Sequence, residues 1–155
     1  MKRWIEQAKK LARDRRGNAM LEFAIGAGVL VATFTGTFQY GYTFLQYNNL
    51  KNAVTRGARY ASLVPYTSPN STPSTAFLTA VKNMVVYGTT TTGTSTVLDG
   101  LTTSNVNLVV TFANGIPSAM TVYISGYTIN SLFSTTTLST KPKVTYAYQG
   151  IWSPI

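Results

Sequence analysis

Hydrophobic and polar positions follow three different rhythms along this chain. From Ala19 to Phe38 the stretch AMLEFAIGAGVLVATFTGTF is almost continuously apolar, with Glu22 its sole charge. About twenty helical residues cross a hydrocarbon core of roughly 30 Å, so the stretch predicts a transmembrane helix. Beyond it, Tyr40 to Leu63 has no proline, and Leu45, Leu50, Ala53, Val54, Gly57, Ala58 and Ala61 recur at spacings that continue the helix. Pro65 disfavours helix at Val64, which puts the end of a helix of about 45 residues at Leu63. Tyr40, Tyr42, Phe44 and Tyr47 follow the apolar run, where they suit an aromatic belt at the outer interface or contacts with neighbouring subunits.

The second rhythm is a short amphipathic helix. PYTSPNSTP (65–73) is turn-rich, Thr72-Pro73 reads as an N-cap and first helical residue, and Phe77, Val81, Met84 and Val85 keep helical spacing up to a C-capping Gly88. Residues 89–104 are Thr, Ser and Gly with an Asp99-Gly100 turn, which predicts an exposed loop. The third rhythm alternates. Val106, Leu108, Val110 and Phe112 share one face of a strand, Asn114-Gly115 forms a turn, Met120, Val122 and Ile124 open a second strand, and Lys143–Gln149 makes a third. The expected fold is α+β: a long N-terminal transmembrane, pilin-like helix, then a short helix and a small antiparallel β-sheet. The segments are a basic leader at 1–17, the long helix at 18–63 with its span at 19–38, a linker, helix and loop at 64–104, and a β module at 105–155.

Charge fixes an orientation. Of thirteen Lys and Arg in 155 residues, seven fall in the first sixteen: Lys2, Arg3, Lys9, Lys10, Arg13, Arg15 and Arg16, opposed by Glu6 and Asp14. Basic residues are retained on the cytoplasmic side, so the N-terminus is expected inside and the β module outside. A basic arm can also bind nucleic acid, but an apolar span directly behind it favours membrane topology, and no nucleic-acid partner is expected. The sequence has neither cysteine nor histidine, and after residue 16 only Glu22 and Asp99 are acidic. Disulfides and thiolate metal sites are excluded, and almost nothing is left to act as general acid, general base or metal ligand. A Ser or Thr nucleophile with Lys82 or Lys51 as base would lack a supporting group, so no catalytic residue, metal, cofactor or small-molecule substrate is expected.

The sharpest local feature is Arg15-Arg16-Gly17-Asn18-Ala19-Met20-Leu21-Glu22-Phe23. A carboxylate inside a membrane segment costs about 2.5–3.5 kcal/mol on insertion scales and usually faces a partner, unless it reaches the interface by snorkelling. Ala24, Gly28, Ala32 and Gly36 recur every four residues, a small-residue stripe of the kind that lets helices approach closely in lipid.

The Gly17 to Phe23 run resembles the processing site of type IV prepilins. Gln46 to Ala61, ending in Gly57-Ala58-Arg59-Tyr60-Ala61, resembles the segment that follows the membrane helix in TadE-like proteins, the minor pilins or pseudopilins of tight-adherence pilus systems. The resemblance covers residues 15–63; Leu21 before the glutamate and a span containing Thr, Gly and Phe depart from the family's usual pattern. It implies cleavage by a prepilin peptidase between Gly17 and Asn18, which would make Glu22 the fifth residue of the mature chain. Glu22, with Phe23 beside it, would then neutralise the new α-amino group of Asn18 in the same or an adjacent subunit and set axial register. Implied partners are that peptidase, other pilin subunits met through the N-terminal helix, and inner-membrane lipid. The implied place is the bacterial inner membrane as a precursor and the pilus or cell surface after assembly. Two readings compete with a minor pilin: the principal subunit of a filament, and an uncleaved single-pass anchor with an outer binding domain.

Overall fold

A computed structural model describes Trp4, residues 15–131 and residues 133–154. The leader charges Lys2, Arg3, Glu6, Lys9, Lys10, Arg13 and Asp14, and its apolar positions Ile5, Ala8 and Leu11, lie outside the described residues. A helix α1 runs Arg15–Leu63 and a helix α2 runs Thr75–Val86. A single 3₁₀ turn at Thr103–Asn105 leads into strands β1 (Val106–Ala113), β2 (Ile116–Ile124), β3 (Tyr127–Asn130), β4 (Thr135–Leu138) and β5 (Lys143–Ala147). The architecture is α+β: a long apolar N-terminal helix, a short helix and small antiparallel sheets. Two compact units divide the chain, residues 1–40 and 41–155.

In the first unit α1 has no core of its own. Its apolar window is long enough to cross a membrane and none of it is buried within the chain. Met20 and Phe23 are 77% and 78% exposed, and Ile25, Val29, Leu30, Val31 and Phe34 are exposed with them. So large a contiguous apolar surface is stable only where something other than water covers it, and lipid does so. Threonine in such a segment must satisfy its own hydroxyl. Thr33 Oγ1 donates to Val29 O and Thr37 Oγ1 to Thr33 O, each at 2.9 Å, one turn back along the helix.

In the second unit the same helix turns amphipathic. Leu50, Ala53, Val54, Ala58 and Ala61 are fully buried against Val81, Val85 and Val86 of α2 and against Val106, Val110, Met120, Val122 and Ile124 of the sheet. Leu45, placed with the apolar spacing above, is exposed, and Tyr47 packs against this core. At Gly57 the two helices come close: a Cβ there would overlap Val85 Cγ2 and stand 3.5 Å from Val81 O. The absence of a side chain lets the backbones meet.

The main sheet has the order β1-β2-β5, all antiparallel. Its hairpin closes through Asn114 and Gly115, both at positive φ (53° and 80°), as a two-residue turn matched to the strand twist requires. Val106 and Val110 of β1 and Met120, Val122 and Ile124 of β2 face the core, following the alternation read from the sequence. The register slips beyond Thr111↔Ala119, so that Phe112 pairs Pro117 and Ser118 is the extra residue, its hydroxyl donating to Thr111 O at 3.0 Å.

Three local expectations change. The cap of α2 is Ser74, whose Oγ accepts from Phe77 N at 3.4 Å, while Pro73 precedes the cap. Thr72 lies in a separate turn before it, its backbone N–H donating to Asn70 Oδ1 at 2.8 Å. The loop 89–104 is not wholly exposed: Leu98 and Leu101 are buried and anchor it to the core. A second, two-stranded sheet, β3 with β4, was not legible in advance. Its β4 strand, TTTL, is solvated on both faces at Thr135 to Thr137 and shows no alternation.

Candidate functional site

Gly17, Asn18, Glu22 and Phe23 all lie on α1 and all are exposed. Asn18 and Glu22 are one helical turn apart, an axial separation of about 6 Å. Among the described residues Glu22 makes no ion pair or hydrogen bond through its side chain. Its carboxylate is thus the one charge on an apolar, uncovered helix between Gly17 and Tyr40, and it lies next to the position that would become a terminal amine on cleavage after Gly17. A carboxylate in lipid without a partner is costly, so its surroundings must supply a cation or a hydrogen-bond donor.

Ala24, Gly28, Ala32 and Gly36 lie along one face of α1, and a Cβ built at Gly28 or Gly36 would meet nothing within 4 Å. With about 100° of rotation per residue, Gly26, Leu30, Phe34 and Thr37 fall on the far side while Thr33 and Val29 curve back toward the stripe, and these six line a shallow and almost purely apolar concavity. Phe34 and Phe38 stack at a centroid distance of 6.4 Å. The span therefore offers a small-residue face and a bulkier grooved face, the two shapes that ridge-into-groove packing joins.

A second constellation, missed in the sequence, binds the end of α1 to the C-terminal segment. Tyr66 and Trp152 form a parallel bridge, Tyr66 N donates to Ile151 O at 2.9 Å, and Ser153 N donates to Tyr66 O at 3.1 Å. Gln149 N donates to Ser62 O at 2.8 Å, in the last turn of the helix. The Tyr148 hydroxyl is the hub: it accepts from Tyr66 N at 2.8 Å and faces the carbonyls of Ile151 (2.8 Å) and Val64 (3.1 Å) as a donor. Trp152 Nε1 donates to Ser68 O at 3.2 Å. Burial raises the hydroxyl pKa of Tyr148, the bond from the Tyr66 backbone working the other way. Tyr66, fully buried with its hydroxyl donating to Asn70 O at 2.7 Å, is also raised, first by burial. Tyr127 is raised by burial and then by the Asp99 carboxylate; its hydroxyl donates to Asp99 O at 3.0 Å. Through these hydrogen bonds the tyrosines lock loops and the C-terminal segment to the core. Tyr146, Tyr148 and Trp152 were the available signal, three aromatics within seven residues just after a threonine-rich stretch.

No curated protein and no solved structure matches the chain. Residues 17–59 match the family described as TadE-like protein, a segment that begins at Gly17 and ends in the Gly-Ala-Arg motif of α1. Over that stretch, the apolar helix with its lone glutamate and its close-packed continuation, the chain is similar to TadE-like proteins.

Proposed function

We propose that this chain is a minor pilin, or pseudopilin, of a tight-adherence pilus: a non-enzymatic subunit made as a membrane precursor and inserted through α1. The family match supports involvement in such a pilus system. The observation that carries the finer reading is Glu22, unpaired among the described residues on the stretch of α1 before Tyr40, whose apolar side chains no described residue buries. A prepilin peptidase cuts after Gly17, and the α-amino group of Asn18 then meets Glu22 of the same or a neighbouring subunit. Charge neutralisation in a low-dielectric bundle penalises every stagger that leaves the carboxylate alone, and so selects one register. The N-terminus begins on the cytoplasmic side of the inner membrane and the sheet unit outside it, following the basic leader.

The test is the mass and N-terminal sequence of the protein extracted from membranes. A mature chain starting at Asn18 is expected, and Gly17→Asp is expected to keep the leader in place. Glu22→Ala should still be processed but should fail to enter assemblies. Native assemblies whose subunits retain the leader would overturn the processing step, and normal incorporation of Glu22→Ala would overturn the register role.

A further inference from the structure

Outside the apolar span the charge of this chain is one-sided. In residues 41–155 Lys51, Arg56, Arg59, Lys82, Lys141 and Lys143 stand against Asp99 alone. Three of these cations, Lys51, Arg56 and Arg59, crowd the exposed face of α1 within nine residues. With about 100° per residue, Asn49, Asn52, Arg56, Arg59 and the 51%-exposed Leu63 share one stripe, and Lys51 flanks it. Asn49, Asn52, Thr55 and Arg56, with Val97 from the loop after α2, line a groove of about 630 Å³.

The Arg56 head group is placed without being used. Nη1 lies 4.0 Å from where a Cβ on Gly88 would be, at the C-terminal end of α2, where the helix dipole favours a cation. Among the described residues its side chain makes no hydrogen bond or ion pair, so its fork of donors is available to a ligand. A second copy of this chain is a poor occupant, because it brings the same excess of cations and like charges across an interface are repulsive. The stripe also mixes cations with carboxamides and with apolar Leu63 and Val97, a composition suited to a protein surface more than to a uniform polyanion.

We propose that this stripe docks an acidic face of a different protein, with Arg56 taking a carboxylate bidentately in the groove. The test uses the full chain in detergent micelles and a helical peptide of alternating Glu and Leu segments as probe, with binding read by fluorescence anisotropy. Arg56→Gln is expected to weaken binding by about tenfold, and Arg56→Lys should not restore it, since an ammonium lacks the fork. Lys141→Gln, at an exposed cation outside the stripe, should leave binding within about twofold. Circular dichroism establishes that each variant is folded. An unchanged affinity in folded Arg56→Gln overturns the proposal, as does tighter binding to polygalacturonate or to phosphatidylglycerol vesicles than to the peptide. In cells, a photo-crosslinker at Asn52 should give an adduct mapped to an Asp- or Glu-rich segment of another protein, and an adduct between two copies of this chain would overturn it. Failure here leaves the pilin reading intact, because that reading stands on cleavage after Gly17 and on Glu22.

Discussion

Gly57 shows how one missing side chain sets a whole interface. Its backbone lies against Val85, and Val81 and Val85 are themselves fully buried, so a methyl group at this point has nowhere to go except by parting the helices. Gly57→Ala is therefore expected to destabilise the second unit by about 1–3 kcal/mol despite the better helix propensity of alanine, which chemical denaturation would measure. Tyr66 carries a different constraint. Burial holds its hydroxyl protonated beyond the ordinary value of 10.0, so the folded state binds that proton more tightly than the unfolded chain does. The resulting stability is fully present below about pH 10 and is lost as pH rises through the folded pKa. Tyr127 and Tyr148 shift in the same direction and add to it. Alkaline unfolding should coincide with the appearance of tyrosinate absorbance, and Tyr66→Phe should move the transition to higher pH.

At the scale of elements, each turn or cap succeeds through a specific atom. The β1–β2 hairpin depends on positive φ at two consecutive residues, Asn114 and Gly115. Gly115→Ala should cost about 1 kcal/mol while leaving the Val106↔Ile124 to Thr111↔Ala119 register intact, which hydrogen exchange along β1 and β2 would show. The long helix and the hairpin were legible in the sequence because composition, period and turn chemistry agreed there. Ser74 and Thr72 are both good caps by residue type, and only the folded backbone, which starts α2 at Thr75, gives the role to Ser74. The β3–β4 pair is not legible in the sequence because its threonines carry no hydrophobic alternation, and Tyr127 and Ile129, with the partly buried Leu138, hold it on the core.

At the scale of the whole molecule, one helix serves two solvents. Up to Tyr40 it exposes apolar side chains all round, and from Leu50 onward it buries a single stripe against α2 and the sheet. Membrane retention should therefore depend on the first part alone. Val29→Lys combined with Leu30→Lys places two cations near the middle of the span, at about 2.5–3.5 kcal/mol each on insertion scales. The variant is expected in the alkaline-carbonate supernatant, whereas the parent chain stays in the membrane pellet. The second unit of the variant should remain folded, since neither residue contributes to its core.

The sequence by itself determined what depends on local pattern: an apolar run of membrane length, a lone carboxylate in it, the helical and alternating periods, the Asn-Gly turn, and a motif from Gly17 to Arg59 specific enough to point to a family. Those features arise from neighbours along the chain, and neighbours are visible in a string of residues. Only the tertiary structure decided that Gly57 is a contact point, that Tyr148 ties Val64, Tyr66 and Ile151 together across more than eighty residues, and that Arg56 comes to rest beside Gly88. Each of these pairs parts of the chain far apart in sequence through hydrogen bonds or steric contact. Such partners are selected by the packing of the assembled core, which no single segment encodes.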